Sequence, residues 1–324
     1  MGKTLLSKGL AVAVLSAVLG ASPVLAADYP SKDVRIIVPF KPGGGVDTTS
    51  RILAEYGNKH MGKKGKLVVE NRAGGGGIVG QTFAAKAKAD GYTVLAMTSS
   101  VVTNPVLKET EYKVADFRPV ALYNMDPEVI VVGASSPFTA IADLVKAAKA
   151  RPLTVTVAGI ATSHHMAGLA LEDSAGMKFT YVPTKGFGAQ LQAVMGGHVE
   201  MGLFPLGEIK KHADAGTVRI LAVATDKPMK ILPGVPTWQD SGLNVKRWTT
   251  FRGWAVPKGT PDKAVKFLSD LLGKISADEA YVKQMTDYGF PIAYEDAKGF
   301  AEVVTDYADI TDKVIKKHGL KEKK

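Results

Sequence analysis

The residues best suited to hold a ligand are three glycines followed by an acid and three hydroxyls, Gly43-Gly44-Gly45-Val46-Asp47-Thr48-Thr49-Ser50. Ahead of them, Val34-Arg35-Ile36-Ile37-Val38 is an apolar run of the kind that forms a buried strand. Behind them, Ile52, Leu53 and Tyr56 share one face of a helix. A strand that passes into a helix through glycines leaves backbone N–H groups free at the helix start, where the helix dipole favours an anion. The competing reading is a tight turn that needs glycine only for its backbone angles. No Gly-Lys-Ser/Thr follows the glycines, so a carboxylate fits this loop better than a nucleotide phosphate.

Other residue sets offer chemistry and fall short of it. Gly75-Gly76-Gly77-Ile78-Val79-Gly80 matches a dinucleotide fingerprint, but the next strand ends in Thr98-Ser99 where that fold needs an acid. His164 and His165 are adjacent, so on a helix they point about 100 degrees apart and suit one metal ion poorly. The chain has no cysteine and no G-x-S-x-G, which leaves covalent hydrolysis without a nucleophile set. The expectation is a binding protein with no catalytic residue, no metal and no cofactor. Thr98-Ser99-Ser100 is a hydroxyl cluster at a strand end, where ligands sit in open α/β sheets.

These residues need elements to position them, and the chain supplies an α/β alternation. Strands are expected over 66–70, 92–97, 153–157, 179–183, 199–204, 219–224 and 251–256, and helices over 78–88 and 189–195. The long apolar run 120–132, interrupted at Asp126-Pro127, reads as a strand crossing between domains. Ser136-Pro137-Phe138-Thr139 is expected to cap a helix, and Thr260-Pro261 to start another with Thr as cap. A final helix uses Phe300, Val303, Val304, Tyr307, Ile310 and Val314.

Residues 1–26 read as a signal peptide. Lys3 and Lys8 precede an apolar core too short to span a bilayer, and Val24-Leu25-Ala26 gives a small-x-small cleavage pattern. Export to the periplasm follows. The formal charge of +10, or +8 once Lys3 and Lys8 are gone, is mostly scattered lysine. It favours anionic partners, while export and the lack of interleaved aromatics argue against nucleic acid. The expected build is α/β with two lobes facing across a cleft: 27–133 plus 223–324 as lobe 1, and 134–222 as lobe 2.

Taken together, Val38-Pro39-Phe40-Lys41-Pro42-Gly43-Gly44-Gly45-Val46-Asp47, Glu70-Asn71-Arg72-Ala73-Gly74-Gly75-Gly76-Gly77, Asp90-Gly91-Tyr92-Thr93, Asn104-Pro105, Thr162-Ser163-His164-His165, Val182-Pro183-Thr184-Lys185-Gly186 and Leu232-Pro233-Gly234-Val235-Pro236 resemble, in order, the Bug family. These are extracytoplasmic receptors of tripartite tricarboxylate transporters. The resemblance implies a two-lobed periplasmic binding protein fold (type II-like), each lobe a mixed sheet flanked by helices. It also implies a monomer that closes on a small organic carboxylate and hands it to the transporter's membrane subunits. A receptor docking on a sensor kinase is the competing reading, and a secreted α/β enzyme a more distant one. Carried over, Phe40, Gly43, Gly44, Asp47 and Thr48 form one wall of the site, with Thr98, Ser99 and Asn104 nearby. Thr162, Ser163 and His164 face them, beside Lys185, Gly186 and Phe204. Asp47 fits a helix-start role without ligand contact equally well. The chain departs from the family at Phe204-Pro205, where a polar residue is usual, at Thr184 and at His164. Lys185 and Arg252 are candidates for a second acid group, with a solvated ion pair the ordinary reading for Arg252.

Overall fold

The computed structural model describes residues 29–320 except 64 and 246, so the expected signal segment 1–26 lies outside the described residues. The chain alternates β1 (Val34–Val38), α1 (Gly45–Met61), β2 (Leu67–Asn71), α2 (Ile78–Ala85), β3 (Thr93–Thr98) and α3 (Ser100–Leu107), then runs into the 17-residue β4 (Phe117–Gly133). There follow α4 (Ile141–Ala150), β5 (Leu153–Val157), α5 (Ser163–Ala175), β6 (Phe179–Pro183), α6 (Phe187–Met195), β7 (Met201–Pro205), α7 (Leu206–Asp214) and β8 (Val218–Val223). The last part holds β9 (Thr249–Pro257), α8 (Asp262–Ser276), α9 (Glu279–Tyr288), β10 (Ile292–Glu295) and α10 (Ala297–Lys317).

The strands pair in the order β2-β1-β3-β9-β4-β7-β5-β6, with β8 and β10 also on β4. Pairing is parallel in β2-β1-β3 and in β7-β5-β6, and antiparallel where β9 meets β3 and β4. One strand therefore serves two half-sheets. Residues from Phe117 to Pro127 of β4 pair with β9, and Glu128 to Val131 pair with β7. The change of partner falls at Pro127, which has no N–H to give to a continuing ladder. Apolar clusters cover both faces of each half, which is why β1 and β3 read as largely apolar runs and the Thr residues that alternate with Leu and Val in β5 are themselves half-buried or buried. Trp238, Leu243, Trp248, Val314 and Ile315 pack into the core of the half formed by β5, β6 and β7, so segments after residue 223 contribute to both halves.

Several local expectations shift. Ser136 does not cap α4: its hydroxyl accepts from Phe138 N–H within the preceding turn, and the helix begins at Ile141. Thr260 donates its hydroxyl to the Pro257 carbonyl instead of capping α8. Helices α3, α7 and α9 lie where no helix was expected. Pro105 within α3 and the brevity of α7 hide their periodicity. Among the described residues, no helix is long and apolar enough to cross a membrane.

Candidate functional site

The glycine-bounded strand ends converge where β4 changes partners, and a cavity of about 440 Å³ opens there. Helices α1, α3, α5, α6 and α7 all begin at its wall: Gly45, Ser100, Ser163, Phe187 and the α7 entry residue Pro205 line it. None of the five has a side-chain N-cap. Two are instead met by carboxylates from elsewhere in the chain. Gly45 N donates to Glu208 Oε1 at 2.9 Å, and Gly207 N of α7 donates to Asp126 Oδ1 at 3.1 Å.

The floor is a buried charge network. Arg252, fully buried on β9, donates Nη1 to Asn124 Oδ1 (2.6 Å) and Asp126 Oδ2 (2.7 Å), and Nη2 to Glu208 Oε1 (3.2 Å). Burial pushes the Asp126 carboxyl up to about 6, against the pull of Arg252. Two residues along β4, Glu128 accepts from Ser163 Oγ and Thr250 Oγ1, both at 2.9 Å, and lies 3.2 Å from His164 Nδ1. A carboxylate only accepts, so Nδ1 carries the proton. Burial alone lowers the His164 pKa, but the Glu128 carboxylate outweighs it and holds the imidazole above its ordinary value. Next to it, burial drives His165 down to about 4, its ring set edge-on to Tyr181.

Of the expected residues, Phe40, Gly44, Thr98, Ser99, Thr162, Ser163, His164, Lys185 and Gly186 line the cavity. Gly43, Asp47, Thr48, Asn104 and Phe204 do not. Asp47 is buried at the start of α1, accepting from Gly43 N, Arg51 and Asn71 Nδ2. Burial opposes its ionisation, yet these donors keep its pKa below the usual carboxylate value. Thr48 N donates to Gly44 O as an ordinary helical bond. Asn104 Nδ2 holds the second glycine loop through Gly76 O and Gln81 Oε1. Phe204 is buried and packs edge-on against Phe187, which does line the cavity. Arg252 lines it too, as a buried network member and not as a solvated ion pair.

Sequence reasoning missed Glu208, Glu128, Thr250 and Phe187. Glu208 sits on the unexpected α7, whose signal was Leu206, Ile209 and Ala213 at helical spacing after Pro205. Thr250 and Phe187 face the cavity, and Glu128 lies buried behind Thr250 and Ser163, only because β4, β9, α5 and α6 meet there.

The architecture and this cavity between two half-sheets define a solute-binding receptor of the periplasmic binding protein type. The profile of the tripartite tricarboxylate transporter family receptor (TctC) matches residues 49–320. BugT of Bordetella pertussis is 30% identical over 275 residues, covering 83% of this chain and 84% of BugT. The solved periplasmic binding protein BugD is 28% identical with a TM-score of 0.83, covering 90% of this chain and 99% of BugD. R. palustris Rpa4515, solved with adipate, is 28% identical with a TM-score of 0.85, covering 90% of this chain and 99% of that one. The chain belongs to the tripartite tricarboxylate transporter receptor family, whose members include the Bug proteins.

Proposed function

We propose that this chain is an exported periplasmic receptor, cleaved after about Ala26, that captures a small organic carboxylate as a monomer. It then delivers the ligand to the membrane subunits of a tripartite tricarboxylate-type transporter. The observation that carries the reading is the set of helix starts from both half-sheets gathered on one cavity, with α5 and α6 lacking side-chain caps. Such N–H groups hold a carboxylate without a buried cation. Lys41 and Lys185 at the rim add an attractive field for anions, and Phe40, Phe187 and Pro205 give the ligand's carbon skeleton an apolar wall. Rpa4515 with adipate supports the same ligand class.

The test is calorimetry on the mature protein, from Ala27, against small carboxylates and their amides. One acid is expected to bind while its amide does not. A ligand at 100 times its dissociation constant should also stabilise the fold by about 2.7 kcal/mol. Binding of amides as well as acids would count against an anion site. Uptake of the bound acid in vesicles carrying the adjacent membrane subunits, dependent on this protein, tests delivery.

A further inference from the structure

Resting on the carboxylate reading, we infer that Glu208 makes this cavity select a carboxylate that also carries a cationic ammonium group, and reject a second carboxylate. The side chain of Glu208 is 9% exposed and lines the cavity. Its Oε1 is committed to Gly45 N and Arg252 Nη2, while Oε2 has no hydrogen-bond partner among the described residues. A carboxylate oxygen held at a cavity wall without a partner is an acceptor for a donor on the ligand.

The ordinary role of a glutamate at the third position of a helix is to reach back and bond the N-cap N–H. That role is closed to Glu208. The N-cap of α7 is Pro205, which has no N–H, and Gly207 N is already taken by Asp126. Glu208 therefore reaches away from its own helix, across to α1 and β9.

The charge balance points the same way. Arg252 faces two carboxylates, Asp126 and Glu208, and Glu128 is matched by His164. Among the described residues, the buried floor holds no unmatched cation for a second ligand carboxylate; Lys41 and Lys185 line the cavity from exposed positions, where solvent screens them. Such a group would lie beside Glu208 or displace it from Gly45 N–H, and either arrangement sets like charges together in a poorly solvated space. An ammonium group would instead complete the pairing of Oε2.

The experiment compares adipate, 6-aminohexanoate and hexanoate, and their four-carbon counterparts succinate, 4-aminobutanoate and butanoate. Binding to protein stripped by unfolding and refolding is measured for the wild type, Glu208→Gln and Glu208→Asp. In the wild type, the amino acid of at least one length should bind about 10-fold or more tighter than its diacid. Glu208→Gln should bring that ratio to near unity and Glu208→Asp should keep its direction. A tighter diacid in the wild type, or an unchanged ratio in Glu208→Gln, overturns the inference and leaves the carboxylate receptor standing. If Glu208→Gln fails to fold, the wild-type ratio alone decides. Failure of all six to bind counts against both readings.

Discussion

The three glycines of the first loop stand in different surroundings, and their substitutions should separate. Gly43 holds φ of 89 degrees, open to glycine at little cost. At Gly44 an added Cβ would meet only Phe187 Cβ at 3.7 Å, an ordinary contact. At Gly45 it would overlap Arg252 Nη2 and stand 2.6 Å from Glu208 Oε1. Gly45→Ala is therefore expected to lower stability by about 1–3 kcal/mol, as overpacking does, while Gly44→Ala changes it by less than about 1 kcal/mol. Urea unfolding of the two variants checks this. The Glu128–His164 pair carries a pH signature. Because the folded pKa of His164 lies above its ordinary 6.5, the pair's contribution is fully present below 6.5 and is lost as pH rises through the folded value. The stability gap between wild type and Glu128→Gln should thus be larger at pH 6 than at pH 9. His165 behaves oppositely. Its folded pKa of about 4 makes the neutral ring the stable form, so its contribution is lost as pH falls from 6.5 toward 4.

Among the elements, α6 offers the cleanest test of an anion site built from a helix start. Gly188 is in its first turn, exposed, lines the cavity, and has nothing within 4 Å of an added Cβ. Gly188→Asp should place a carboxylate at that terminus, lowering carboxylate affinity by roughly 10-fold or more while the fold stays within about 0.5 kcal/mol. Equal affinity in calorimetry would move the anion site off α6. Strand β9 carries the opposite case, a residue that the fold cannot lose. Removing Arg252 strands Asp126 and Glu208 as buried acids, so Arg252→Met is expected to cost about 3–5 kcal/mol. Adding Asp126→Asn and Glu208→Gln should recover part of that loss, because the stranded charges go with it. Denaturant titration of the single and triple variants measures the coupling.

For the whole molecule, β4 is the shared member, and the two halves also touch across the cavity. Glu208 of α7 meets α1 and β9, Lys108 Nζ donates to Ile160 O at 2.9 Å, and Thr103 Oγ1 bonds the Ala161 carbonyl. These bridges hold the two halves together across the cavity, as a ligand bound between them should also do. Lys108→Met combined with Glu208→Gln is expected to enlarge the ligand-free molecule in small-angle scattering, above the roughly 19 Å radius of gyration of a compact chain this long. Unchanged dimensions would mean that other contacts hold the halves together.

Local chemistry was legible in the chain itself. Strand runs such as 34–38 and 153–157, the glycine-led start of α1 and the hydroxyl-led start of α5 are written in consecutive residues, and the Asp126-Pro127 interruption marks where an unbroken β4 changes partners. Helices α3 and α7 were not, since a proline in one and only nine residues in the other blur the 3.6-residue period. Asp47 and Asn104 had the right types for a ligand contact, but their partners turn them inward. Sequence alone thus determined the α/β alternation and the glycine- and hydroxyl-led starts of α1 and α5, because both depend on neighbours along the chain. Only the tertiary structure decided which of those starts meet, and that Glu208, Arg252 and Asp126 share one buried network. Their pairing spans 44 and 126 residues of chain, and it exists only once β4 has brought β9 and α7 to the same place.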